Sequence, residues 1–340
     1  MTIGNTNIQR LVLVPLCITF FMAWHLAVQA QLKATTFPSN FRNTLPNEIV
    51  GSENLAMLFT KVKQGKTVKV MQIGDSHVRG NIFPNTVGST LKGFFPTLQF
   101  CHYGINGAWA KRFYEQDMIT RVATEHPDLV IISFGTNEAH GSILDETSHA
   151  QSMSLLTQRI KEACPNTQFL FTTPPGSFIS KRTTTRRRGR RRSYVSSRTP
   201  NLNNGRVANS IVKFCNNNHM AVWDIYNIGG GDRSACTNWL NSGEMNSDAI
   251  HYLASGYTRQ GQLLGEAIYK AYSNIEIPSS TFSLPHEKTP ADQTPHHSIE
   301  ENEEFISTTR MTVAHYDKQD DNNIFDKLLN ALPFAKKRQD

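Results

Sequence analysis

The sequence predicts an α/β protein, with a parallel sheet of five strands layered between helices. Three observations carry this. Apolar runs of strand length recur near 68–73, 98–103, 129–134, 168–172 and 221–225. Between and after them come stretches with helical spacing of apolar residues, near 83–94, 110–125, 148–163, 205–218 and 254–272. Strands that alternate with helices give a parallel sheet covered on both faces.

Residues 49–64 read as a helix leading into the first strand. That strand stops at Gly74, and Asp75, Ser76 and His77 follow at once. The C-terminal end of a strand is where open α/β sheets place their ligand sites. A helix over 83–94 would add N-terminal N–H groups aimed at the same place. Gly-Asp-Ser is also good turn chemistry, so Ser76 taken alone reads equally as a helix N-cap.

A nucleophilic serine needs a base, most often a histidine oriented by a carboxylate. Asp248 and His251 are three residues apart, so one turn brings them side by side. Acyl transfer also builds negative charge on the carbonyl oxygen, which preorganised N–H donors stabilise. Two loops at strand ends offer such donors, Gly104-Ile-Asn-Gly107 and Gly135-Thr-Asn-Glu138. Glycine lets backbone approach a ligand closely, and the Asn137 amide adds a neutral donor.

Gly74-Asp-Ser-His77, Gly104-Ile-Asn-Gly107, Gly135-Thr-Asn-Glu138 and Asp248-Ala-Ile-His251, in this order, resemble the four blocks of the SGNH hydrolase (GDSL-type esterase) family. The resemblance covers about 66–271. It implies a three-layer α/β/α sandwich of flavodoxin-like type with strand order 2-1-3-4-5. By motif position it makes Ser76 the nucleophile, His251 the general base and Asp248 its orienting carboxylate. The implied oxyanion hole is the Ser76 N–H, the Gly107 N–H and the Asn137 side chain. A serine esterase of this kind needs no metal or organic cofactor. Two positions depart from the usual pattern: His77 stands where leucine is usual, and Glu138 where aspartate is commoner. The first variant resembles a branch that includes extracytoplasmic polysaccharide and peptidoglycan O-acetylesterases. The reading is thus an exported esterase that removes O-acetyl groups from a glycan. An O-acyltransferase or a lipase would use the same residues.

Neighbouring residues have two readings each. Asp75 is expected to bond nearby backbone rather than react, and His77 to line or pack the site. Glu138 and His140 either touch substrate or face water. Trp239, next to Asn238, either packs or stacks on a sugar ring. Asp75 and His77 also form the D-x-H pair that opens many dinuclear metallophosphoesterases, but the further Asp, Asn and His ligands of such sites are missing.

Residues 11–28 are largely apolar and end in Val28-Gln-Ala30, the pattern of a secretory signal peptide matured after Ala30. The alternative is an uncleaved anchor, which Pro15 and His25 disfavour. Export would leave Cys101, Cys164, Cys215 and Cys236, for which bridges and free thiols both stand. The net charge of +7 is local, because the nine cationic side chains of 181–198 exceed it and leave the rest slightly acidic. This segment is expected to be a basic loop on the rim that carries the site. For an exported protein an anionic envelope polymer or phosphorylated lipid is a better partner than nucleic acid. A solvated insertion with no ligand is the alternative, and a binding module built around this loop is the second functional class. The expected organisation is a signal peptide at 1–30 and a polar lead-in with its helix at 31–65. A hydrolase domain at 66–272 follows, and then a polar tail at 273–340. The tail is too poor in apolar residues to fold, apart from an amphipathic stretch at 324–334.

Overall fold

β1 (Lys69–Gly74) alternates its side chains between two hydrophobic cores: Val70 joins one, Met71 and Ile73 the other. The same split separates Leu129 and Ile131 from Val130 and Ile132, and Leu170 from Phe169 and Phe171. Period-two alternation with both sets apolar is the mark of a sheet buried on both faces. The protein, here a computed structural model, is described over residues 34–141, 145–185 and 193–274. The expected signal peptide, the tail beyond 274 with its stretch at 324–334, and residues 186–192 of the basic segment lie outside the described residues.

A 3-10 turn at Ser52–Leu55 and α1 (Ala56–Lys63) precede β1, which runs into the one-turn α2 (Ser76–Arg79) and then α3 (Ile82–Phe94). β2 (Gln99–Gly104) leads to α4 (Ala110–Glu115) and α5 (Ile119–Glu125). β3 (Leu129–Ser133) leads to α6 (Thr136–Ala139) and α7 (Glu146–Ala163). β4 (Gln168–Thr172) is followed by β5 (Phe178–Thr185), β6 (Ser193–Pro200) and α8 (Asn203–Asn217). β7 (Ala221–Trp223), α9 (Ile225–Ile228), α10 (Gly231–Asn241) and α11 (Ala254–Asn274) complete the described chain. The main sheet is wholly parallel, in the order β2-β1-β3-β4-β7. Counting only its own strands, this is 2-1-3-4-5. The chain reverses its winding between β1 and β3, and the C-terminal ends of those strands carry Asp75–Ser76 and the Gly135 loop.

Three expectations are corrected, and the two readings of Trp239 are resolved. The helix expected over 110–125 is two helices, because Asp117 takes a left-handed conformation (φ 54°) between them. The helix expected over 49–64 begins only at Ser52; Val50 instead pairs antiparallel with Val222. The segment expected as a basic loop at 181–198 has regular arms: β5 and β6 pair antiparallel from Phe178↔Pro200 to Thr185↔Ser193. Its Thr, Val and Tyr residues favour strands, and the charge count hides that propensity. Trp239 is fully buried and meets Phe41 and Tyr252 edge-on, so it packs and is closed to a sugar. Its neighbour Asn238 bonds both the N–H and the carbonyl of Arg42, fastening the lead-in to α10.

Gly104, at the end of β2, touches the nucleophile turn so closely that a Cβ there would lie 2.2 Å from the Arg79 nitrogen and 2.7 Å from the Asp75 carbonyl oxygen. Both neighbours are backbone and have little freedom to give way. Gly104→Ala is therefore expected to cost about 1–3 kcal/mol of stability in urea unfolding. It should also displace Ser76. Unchanged stability would contradict this contact.

Candidate active site

Ser76 opens α2, and the Asp75 carboxyl group caps that turn by accepting the His77 N–H at 2.9 Å. The far partner sits on the loop before α11. There Ala249 adopts a left-handed φ of 57°, which folds Asp248 back toward His251. Asp248 Oδ1 accepts the N–H groups of Ile250 and His251, each at 2.9 Å, and Oδ2 lies 2.7 Å from His251 Nδ1. Partial burial opposes ionisation of Asp248. The hydrogen bonds from the His251 ring and the two N–H groups outweigh it and hold the carboxyl below its ordinary value. An ionised carboxylate only accepts, so Nδ1 carries the imidazole proton. Nε2 is then free to accept from Ser76 Oγ, which lies 2.9 Å away.

The two donor loops meet behind this pair. Asn137 Nδ2 donates to the Ala108 carbonyl at 2.8 Å and to Asp75 Oδ2 at 3.3 Å, so it latches the glycine block to the nucleophile turn. Gly107 is exposed and left-handed (φ 66°). Among the described residues, neither the Ser76 N–H nor the Gly107 N–H makes a hydrogen bond. The sequence thus brought together Ser76, Asp248 and His251 directly, and Asn137 through Asp75.

Around them lies a shell that sequence reasoning largely missed. His77 packs as expected: its ring is 5.1 Å from that of His251, and Nδ1 meets the Tyr257 hydroxyl at 2.9 Å. Burial, reinforced by the nearby His251, drives His77 down to about 3, so it stays neutral beside the base. Tyr257 had no signal beyond its place in the last helix. His140 bonds Ser177 Oγ at 2.8 Å, and Ser177 is held in turn by Asn204. The hairpin base braces the loop that carries His251, because the Phe178 N–H donates to the Ala249 carbonyl and the Arg198 guanidinium to the Ser247 carbonyl. All four described cysteines are free thiols. Among the described residues no group of three or more His, Cys, Asp or Glu is arranged to hold a metal ion, and no helix is long and apolar enough to cross a membrane.

Two carboxyls behind the serine are displaced upward. Asp75 is raised to about 8 by burial, against the pull of the His77 N–H. Glu138 is raised to about 7, again chiefly by burial. Its Oε1 accepts the Ala110 N–H at 3.2 Å, while Oε2 has no partner among the described residues. For Glu138 the folded value lies above the ordinary 4.5, so between the two the unfolded chain has released a proton that the native state keeps. Its contribution is therefore full below about 4.5 and is lost as pH rises through about 7. Relative to Glu138→Gln, the wild-type melting temperature should fall across this window. Parallel curves would contradict the buried, proton-retaining carboxyl.

Comparisons with known proteins bear on the family and the fold. The family model described as GDSL-like lipase/acylhydrolase matches residues 72–259. No curated protein matches the chain. Among solved structures, a peptidoglycan O-acetylesterase is 16% identical at a TM-score of 0.53, over 66% of this chain and 96% of its own. An acetyl xylan esterase is 18% identical (TM-score 0.44; 60% and 99% covered). A GDSL-like lipase from Bacteroides thetaiotaomicron is 14% identical (TM-score 0.38; 65% and 98% covered). At such identities the first of these speaks for the fold, and the family match spans more than half of the sequence, so the chain belongs to the GDSL-like lipase/acylhydrolase family, a family of ester-bond hydrolases.

Proposed function

We propose that the protein is an exported serine esterase that removes O-acetyl groups from a glycan. The observation that carries the catalytic part is the continuous hydrogen-bonded line from Asp248 through His251 to Ser76 Oγ. In this reading His251 Nε2 takes the Ser76 hydroxyl proton as Oγ attacks the ester carbonyl. The oxyanion is met by the Ser76 and Gly107 N–H groups, with the Asn137 amide turning toward it from its latch. Collapse breaks the ester C–O bond, His251 returns the proton to the leaving alcohol, and an acetyl–Ser76 ester remains. Water, deprotonated by His251, then releases acetate and restores Ser76.

The glycan and the acetyl group rest on the His77 variant of the motif, and export on the pattern that ends at Ala30. That variant keeps a neutral, tightly packed ring against His251. An O-acyltransferase or a lipase would use the same steps with another acceptor or a longer acyl chain. A role for the basic segment in holding an anionic polymer is supported by its charge and by Arg198 at the hairpin base, whose guanidinium donates to the Ser247 carbonyl beside Asp248.

With 4-nitrophenyl acetate and longer-chain esters, the mature wild type should release nitrophenol with or without EDTA, and Ser76→Ala should not. Preference for acetate separates a deacetylase from a lipase, and EDTA-sensitive turnover would contradict the serine mechanism. Asp248→Asn should lower kcat/KM by roughly 10²–10³-fold, less than the loss of ~10⁴ in a buried triad, because water reaches this pair. The His251 and Asp248 side chains are 37% and 43% exposed. A loss of less than about threefold would remove Asp248 from the mechanism.

A further inference from the structure

The loops that carry Gly107 and Asn137 also form the wall of a separate cavity. It measures about 240 Å³ and is lined by Trp109, Lys111, Glu138, His149 and Ser152 among others. Its place beside the candidate oxyanion corner follows from the chain itself. Trp109 follows Ala108, whose carbonyl holds Asn137, and Glu138 follows Asn137 and accepts the Ala110 N–H. Nothing in the steps from Ser76 to acetate uses this cavity.

Its lining has two contrasting parts. Trp109 offers a large apolar surface, 43% exposed, where Trp223 and Trp239 are fully buried. Opposed to it in character is a buried polar set. The Glu138 side chain is only 8% exposed and the His149 side chain 4%, with 4.0 Å between His149 Nε2 and Glu138 Oε1. His149 Nδ1 is already engaged with Ser210 Oγ at 3.1 Å, whereas Glu138 Oε2 has no partner among the described residues. A buried carboxyl oxygen without a partner is costly, and it gains when a ligand hydroxyl supplies the bond. An acyl chain would desolvate the exposed Lys111 and supply no hydrogen bond to the unpartnered Glu138 oxygen. A pyranose ring fits both halves: its C–H face lies on an indole, and its hydroxyls meet the carboxyl.

We propose that this cavity is a glycosyl subsite, in which Trp109 stacks on a pyranose ring of the substrate and Glu138 bonds one of its hydroxyls. The proposal rests on the glycan-esterase reading and adds where the glycan is held. It makes Trp109 and Glu138 specificity determinants, with no part in the chemical step.

The test is binding without turnover. Mature Ser76→Ala is titrated with chitotetraose and with xylotetraose, by calorimetry and by tryptophan fluorescence. At least one should bind and change the fluorescence. Adding Trp109→Phe should abolish the optical change while a calorimetric signal persists. Adding Trp109→Ala should weaken binding about tenfold or more. Adding Glu138→Gln, which keeps an oxygen for the Ala110 N–H, should also weaken it. Melting curves check that each variant is folded, and Trp109→Phe serves if Trp109→Ala is not. Absence of binding by both oligosaccharides overturns the proposal, and so does an unchanged Kd in folded Trp109→Ala. Hydrolysis of 4-nitrophenyl acetate by the wild type reports on the esterase reading separately. Turnover without oligosaccharide binding sinks the subsite alone, and binding without turnover leaves a sugar site but removes the esterase reading on which its role as a substrate subsite rests.

Discussion

The 2.9 Å contact between Ser76 Oγ and His251 Nε2 joins residues 175 positions apart, and the architecture can be understood as what holds its two ends in place. The serine end is fixed by the sheet. β1 runs between β2 and β3, its exit is pressed against Gly104, and the Asp75 carboxyl closes the one-turn helix that presents Ser76. The histidine end lies outside the main sheet, next to the isolated Met245–Tyr252 bridge. It is fixed by Asp248, by the left-handed Ala249, and by the Phe178 N–H reaching in from the hairpin base. One end is set by packing and the other by hydrogen bonds to a loop, so the site depends on the hairpin as well as on the core.

Burial divides the polar groups around this contact by role. Asp248 and His251 are partly open to water, and hydrogen bonds keep the carboxylate ionised. Asp75, His77 and Glu138 lie behind them and are pushed toward their neutral forms. Neutral neighbours matter to a base such as His251. A second imidazolium 5.1 Å away would oppose the charge His251 acquires when it takes the serine proton. The replacement of leucine by His77 thus adds a hydrogen-bonding ring, tied to Tyr257, without adding a charge.

Much of this was legible in the sequence, for physical reasons. Apolar runs at strand length are forced by a sheet buried on both faces, so β4 falls where it was expected and β1, β2 and β3 within a residue. The three residues of the Ser76 line stand at strand ends or within one turn of each other, where spacing predicts contact. The remainder depends on tertiary pairing that spacing does not encode. Tyr257 reaches His77 across 180 residues, and His140 meets Ser177 only after β3 and β4 align. The polar lead-in gave no sign that Phe37 and Phe41 stack on one another and meet Trp239 edge-on. The hairpin arms were obscured because the segment was read through its nine positive charges, of which the arms themselves carry only Lys181, Arg182 and Arg198, although their β-branched residues were visible.

The central claim is that Ser76 is made nucleophilic by His251. Labelling with a fluorophosphonate, followed by peptide mass spectrometry, tests it most directly, because the reagent reports the activated hydroxyl whatever the natural substrate is. A single adduct on Ser76 is predicted, formed far more slowly in His251→Ala. No adduct on the folded wild type, an adduct on another residue, or an equal rate in His251→Ala would contradict it.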